Sequence, residues 1–100
     1  MTIYEFTTSL TVQGGSSNAV SHNIVGGLCK YVLIRANTDT TVFRADLKDD
    51  NGIVRLNYDF HQGEIVDDKI SFPITGKYTV DITNSSPNDT FRVIIAVQEK

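Results

Sequence analysis

A hydrophobic period of two recurs from Tyr4 to Val97 and never gives way to a helical period. Successive strand side chains point to opposite faces, so this alternation demands half-buried strands; a helix would return its apolar residues every three or four positions. Tyr4, Phe6, Leu10 and Val12 share one parity, with Glu5, Thr7, Ser9 and Thr11 between them. Gln13-Gly14-Gly15-Ser16-Ser17-Asn18 then reads as a surface loop, because a phosphate cradle would need a Lys and a following helix. Val20, His22 and Ile24 alternate as far as Gly26-Gly27, and residues 28–36 are largely apolar on both parities, as in a central strand covered on two sides.

Further along, Phe43, Ala45 and Leu47 alternate with Arg44, Asp46 and Lys48, and Val54, Leu56, Tyr58 and Phe60 are predicted to point inward against Arg55, Asn57 and Asp59. Between these runs Asn51-Gly52 predicts a type I′ hairpin turn, in which both central residues take positive φ. A weaker strand surrounds Ile70 and Phe72 and is expected to halt at Pro73. Tyr78, Val80 and Ile82 form the next strand; Phe91, Val93, Ile95 and Val97 form the last. The pattern specifies an all-β fold, a single antiparallel β-sandwich domain over residues 1–100 with seven or eight strands, Ig-like or jelly-roll-like.

The charge is -3 overall but unevenly placed. Residues 39–68 hold eight acids (Asp39, Asp46, Asp49, Asp50, Asp59, Glu64, Asp67, Asp68) against Arg44, Lys48 and Arg55. Phosphate neutralisation needs clustered Lys and Arg, so nucleic acid is excluded as an expected partner. The first residues carry no basic and apolar secretory pattern, and no stretch approaches 18 apolar residues, so neither export nor membrane insertion is expected. Cys29 is the single cysteine and cannot form an internal disulfide; in an apolar strand it reads as a small packing residue.

The candidates for chemistry each have a simpler structural reading. Asp49, Asp50 and Asn51 place three oxygen side chains in one turn, but Ca²⁺ needs six to eight oxygens and the EF-hand spacing is missing; Asp and Asn bonding their own turn backbone accounts for them. His22, His61 and Cys29 offer none of the close ligand pairs a structural zinc site uses, and no Gly-x-Ser-x-Gly elbow occurs. Asn84-Ser85-Ser86 and Asn88-Asp89-Thr90 match the glycosylation acceptor pattern and read as turn residues. The expectation is a protein that is not an enzyme, with no catalytic residues, no metal and no cofactor.

Gly76, Tyr78 and Val80 resemble the Gly-x-Tyr-x-Cys run of Ig-like sandwiches, with Val for Cys; the resemblance implies a Tyr78 hydroxyl bonded back to backbone. In size, architecture and expected compartment the chain resembles the accessory β-sandwich proteins of bacteriophage virions, the capsid decoration proteins and small head or tail components. That resemblance implies a structural protein of the virion, made in the host cytoplasm, which binds capsid subunits or its own copies. The parity of the third and last strands turns Tyr31, Leu33, Ile94 and Ala96 outward, with Arg35 and Arg92 at the rim, and this patch is the expected protein interface. In an Ig-like arrangement the strand holding Thr79 and Asp81 would separate the two strands that carry it. The alternative is a carbohydrate- or ligand-binding β-module; sugar sites rest on exposed aromatic rings, and this chain has no Trp.

Overall fold

A computed structural model describes residues 2–99, apart from the side chain of Val25. Seven antiparallel strands make up the chain: β1 (Ile3–Val12), β2 (Ser17–Ala36), β3 (Val42–Lys48), β4 (Val54–Gln62), β5 (Glu64–Asp67), β6 (Phe72–Asn84) and β7 (Asp89–Glu99). The hydrogen-bonded order is β1-β7-β2-β6-β3-β4, with β5 also on β2. The all-β sandwich expected from the alternation is what forms, in seven strands because the runs around Val20–Ile24 and residues 28–36 are one strand of 20 residues.

β2 belongs to both layers. Residues 17–24 pair with β6, residues 31–36 pair with β7, and Val32 to Arg35 also pair with β5 on the other side. The register shifts between Ile24 and Gly27, where Gly27 lies opposite both Ile74 and Glu99. A side chain at Gly27 would collide with the Gln98 carbonyl, so the glycine is what lets three strands converge where β2 passes from one layer to the other. One layer is therefore β1-β7-β2-β5 and the other β2-β6-β3-β4.

The layers close over a single core. Phe43 of β3 meets Phe91 of β7 edge-to-face with centroids 4.8 Å apart, although the two strands are not neighbours in the sheet. Around them lie Val12, Ile34, Leu47, Ile65, Ile74, Val80, Ile82, Val93 and Ile95, all less than 3% exposed. Each such side chain contributes about 1.5–3 kcal/mol relative to exposure. Because a one-residue slip would turn the whole set outward, this burial holds the register. Cys29 is fully buried in the same core, and burial pushes its thiol up to about 11, which leaves it an inert packing group.

Polar clamps hold the loops. Asp89, nearly buried at the start of β7, accepts from the Thr38 amide (3.0 Å), the Thr41 hydroxyl (2.7 Å) and the Thr90 amide (2.8 Å). Burial alone would raise the Asp89 pKa; these donors hold it below the usual carboxylate range instead. Asn84, 0% exposed, is a second clamp and cannot serve as a glycan acceptor in the folded chain.

Several local expectations are corrected. Gly52 takes φ +77° but Asn51 does not have positive φ, so the β3–β4 turn is not type I′. The Gly52 amide donates to the Asp49 carbonyl and the Asp49 amide to Ile53, a three-residue loop with its left-handed residue at the end. Asp49 shapes it from the side chain, its Oδ1 accepting from the amides of Asn51 and Ile53. Pro73 does not halt a strand: β6 starts at Phe72 and runs through it, whereas Ile70 lies outside the strands. Val54 and Phe60 are 46% and 54% exposed and not inward, because β4 is an edge strand with register shifts toward both of its ends. Tyr78 is buried as expected, but among the described residues its hydroxyl has no backbone partner of the kind the Ig-like run implies.

Candidate functional site

The two outward faces of the sandwich differ in chemistry. On β2, β6 and β3 the outer face is polar: Ser17 pairs with Thr83 (3.0 Å), Ser21 with Thr79 (2.8 Å), Lys48 with Asp81 (3.2 Å), and Arg44 with Asp46 (3.6 Å). The opposite face, on β1, β7, β2 and β5, carries the residues singled out by parity.

Those six residues form three cross-strand pairs. Tyr31 stands opposite Ala96, Leu33 opposite Ile94 and Arg35 opposite Arg92. β2 and β7 are direct neighbours, so no strand separates them, contrary to the Ig-like expectation. A register shift between Cys29 and Tyr31 lets Cys29 face the core while Tyr31 faces out. The rows extend sideways: Thr7 lies beside Ile94, and Val66 beside Leu33, which gives an outer row Thr7–Ile94–Leu33–Val66.

Exposure along this row is graded. Leu33 is 9% and Ala96 7% exposed, while Tyr31 and Ile94 are half-buried. The patch is thus less bare at its centre than its parity suggests. Its most accessible apolar member is Val66, at 49%, on the four-residue strand β5. Val66 sits in an acidic, strand-poor stretch of sequence whose pairing with Leu33 only the fold reveals.

At one end of the row, the guanidinium groups of Arg35 and Arg92 border a shallow cleft of about 350 Å³ with Ser9, Asn37, Leu33 and Ile94. Arg35 donates through Nε (3.0 Å) and Nη2 (2.8 Å) to the same carboxylate oxygen of Glu64. Both partners are well exposed, so that pair contributes little to stability. Arg92 has no acidic partner among the described residues, and like charges directly opposite one another are unfavourable.

Other candidates for chemistry are dispersed or occupied. Among the described residues no three His, Cys, Asp or Glu side chains converge as a metal site. Asp49 is engaged by its own turn and by Arg55 at 3.5 Å, and Asp67 accepts from the Tyr58 hydroxyl at 2.9 Å. His22 lies against Phe6 with its Nε2 buried and unpartnered among the described residues, far in the chain pairing from His61, whose Nδ1 meets the Asp59 carbonyl.

No protein-family model matches the chain, and comparison with characterised proteins finds no relative in sequence. Among solved structures, the crystal structure of FLHE superposes with a TM-score of 0.55 at 13% identity, over 97% of this chain and 98% of that one. A family two carbohydrate esterase from Cellvibrio japonicus (TM-score 0.46, 13% identity) and infectious bursal disease virus, Gt strain (0.40, 14%), are matched over 99% and 97% of this chain. The chain spans only 35% and 33% of those two chains. The likeness to FLHE shows the fold alone.

Proposed function

We propose that this domain is a non-enzymatic structural protein, an accessory component of a bacteriophage virion that seats its β1-β7-β2-β5 face on a repeated protein lattice. The contrast between the two outer faces carries this reading: one is a lattice of hydroxyl and ion pairs, the other carries the apolar row Ile94–Leu33–Val66 with Tyr31 beside it, most accessible at Val66. A central apolar strip with charge at its edge is the composition of a protein contact. Arg92 at that edge, which no acidic side chain among the described residues meets, suits an acidic group on the partner. The patch is small, so a single contact would be weak, and avidity on a repeated lattice would require copies joined to one another.

Mass spectrometry of virions purified from the host should find the chain as a stoichiometric component. Val66→Asp combined with Ile94→Asp should abolish incorporation while far-UV circular dichroism stays that of the wild type. Particles that lack the wild-type chain, or that incorporate the double variant as well, would overturn the proposal. Selective retention on a glycan array with no particle association would favour the carbohydrate-binding alternative.

A further inference from the structure

β4 ends the strand order, and among the described residues no strand lies beyond it. Its outer edge therefore offers unpaired backbone donors and acceptors, the template on which another strand can add. β4 contains neither Lys nor Pro, two common edge guards, and it exposes Val54 and Phe60 beside exposed Ile53.

We infer that this edge pairs with the same edge of a second copy of the chain, about a two-fold axis at Asn57. The strand Val54-Arg55-Leu56-Asn57-Tyr58-Asp59-Phe60 is complementary to its own reverse. Antiparallel pairing about Asn57 sets Val54 opposite the second copy's Phe60, Arg55 opposite its Asp59, and Leu56 opposite its Tyr58. The two-fold then repeats each pair, as an isologous interface requires. Every pair joins like with like in polarity or opposite charges, the combinations that stabilise neighbouring strands.

Other registers do worse. Only even shifts keep the facing residues on the same side of the sheet. Moving the axis to Tyr58 puts Arg55 opposite His61 and Asp59 opposite Asn57; moving it to Leu56 puts Arg55 opposite Asn57 and Asp59 opposite Ile53. On its own chain Arg55 meets Asp49 at 3.5 Å and lies over the Phe72 ring at 5.9 Å, and Asp59 has no cationic partner among the described residues. Both side chains are exposed, and an Asp59 carboxylate of a second copy would compete with these contacts for Arg55.

The bulges support the same axis. Against β3 the register shifts at Arg55 and again between Tyr58 and His61, so an irregularity lies on each side of Asn57. Bulges twist an edge and discourage a regular foreign strand. Two copies related by a two-fold at Asn57 set bulge against bulge, so the feature that rejects other strands admits this one. This edge is separate from the face that carries Val66 and Ile94, and the two contacts are compatible in one molecule.

Sedimentation of the full chain across a dilution series tests the inference. The wild type should dimerise reversibly. Arg55→Asp and Asp59→Arg should each weaken the dimer about tenfold or more, because each sets like charges opposite one another twice. An equimolar mixture of the two variants should regain the dimer, since the two carboxylates of one chain then meet the two guanidinium groups of the other. Asn57→Cys should form a disulfide-linked dimer on mild oxidation, Cys29 being buried. Val66→Asp should leave dimerisation unchanged, which separates this contact from the lattice face. A monomeric wild type, unaltered single variants, a mixture that stays monomeric, or an Asn57→Cys chain that does not cross-link would each overturn it.

Discussion

The side-chain amide of Asn84, at the end of β6, donates to the Val12 carbonyl at the end of β1 over 3.0 Å, joining two strands that lie in opposite layers. The same nitrogen donates to Pro87 O at 3.0 Å, and Oδ1 accepts from the Ser86 amide at 2.9 Å. Every polar atom of this buried side chain is engaged. Asn84→Ala should lower stability by about 2–4 kcal/mol, because it strands the Val12 carbonyl and the Ser86 amide away from water as well as losing the bonds. Chemical denaturation of the purified variant measures the loss; a change below about 0.5 kcal/mol would show the clamp to be redundant.

Gly27 and Gly52 should fail for different reasons. A Cβ at Gly27 would meet the Gln98 carbonyl and a Val97 methyl at 2.8 Å, so Gly27→Ala requires β2 and β7 to separate. A loss of about 2–4 kcal/mol, or failure to fold, is expected.

Gly52, by contrast, has open space around it, and only its φ of +77° resists a side chain. Gly52→Val should cost about 1–2 kcal/mol, and Gly52→Asn clearly less, since Asn tolerates the left-handed region. Equal stability of the Val and Asn variants in thermal unfolding would contradict this account of the turn.

Burial lowers the pKa of His22 below its usual value, so the folded chain keeps this ring neutral where the unfolded chain would protonate it. Between the lowered folded pKa and about 6.5 the unfolded state therefore binds more protons, and stability rises with pH through that window. The contribution is fully present above about pH 6.5 and is lost as the pH falls. Unfolding midpoints followed between pH 5 and 8 should show this slope in the wild type and a flatter profile in His22→Leu, which also removes the unpartnered Nε2.

Tyr78→Phe should change stability by less than about 0.5 kcal/mol, because the hydroxyl makes no bond to a described residue while the ring stays packed. Tyr58→Phe is the contrasting variant: it loses the 2.9 Å bond to Asp67 that ties β4 to the end of β5, and about 1 kcal/mol should go with it.

Much of the sandwich was legible because its strands pair at a strict period of two: the inward sets Phe43-Ala45-Leu47, Val80-Ile82 and Phe91-Val93-Ile95 all bury as their parity requires. Errors fell where backbone pairing overrides pattern. Gly26-Gly27 looks like a terminator, yet the glycines carry one strand between two layers. Pro73 needs no amide bond where it stands early in β6, and β4 is amphipathic in sequence although it has no layer above its ends. The parity that turned Tyr31, Leu33, Ile94 and Ala96 outward was sufficient to place them on one face. That they are immediate partners, and that Val66 extends their row, depends on non-local pairing that no local pattern encodes.

The unbroken course of β2 through both layers also has a mechanical meaning. A sandwich whose layers are joined only by loops can part like the covers of a book, with each sheet intact. Here a load on either layer is drawn along one continuous backbone and resisted on both sides, by β6 over its first half and by β7 with β5 over its second. Parting the two layers therefore means stripping β2 from β6 or from β7 and β5, a zipper of backbone hydrogen bonds in place of a single loop.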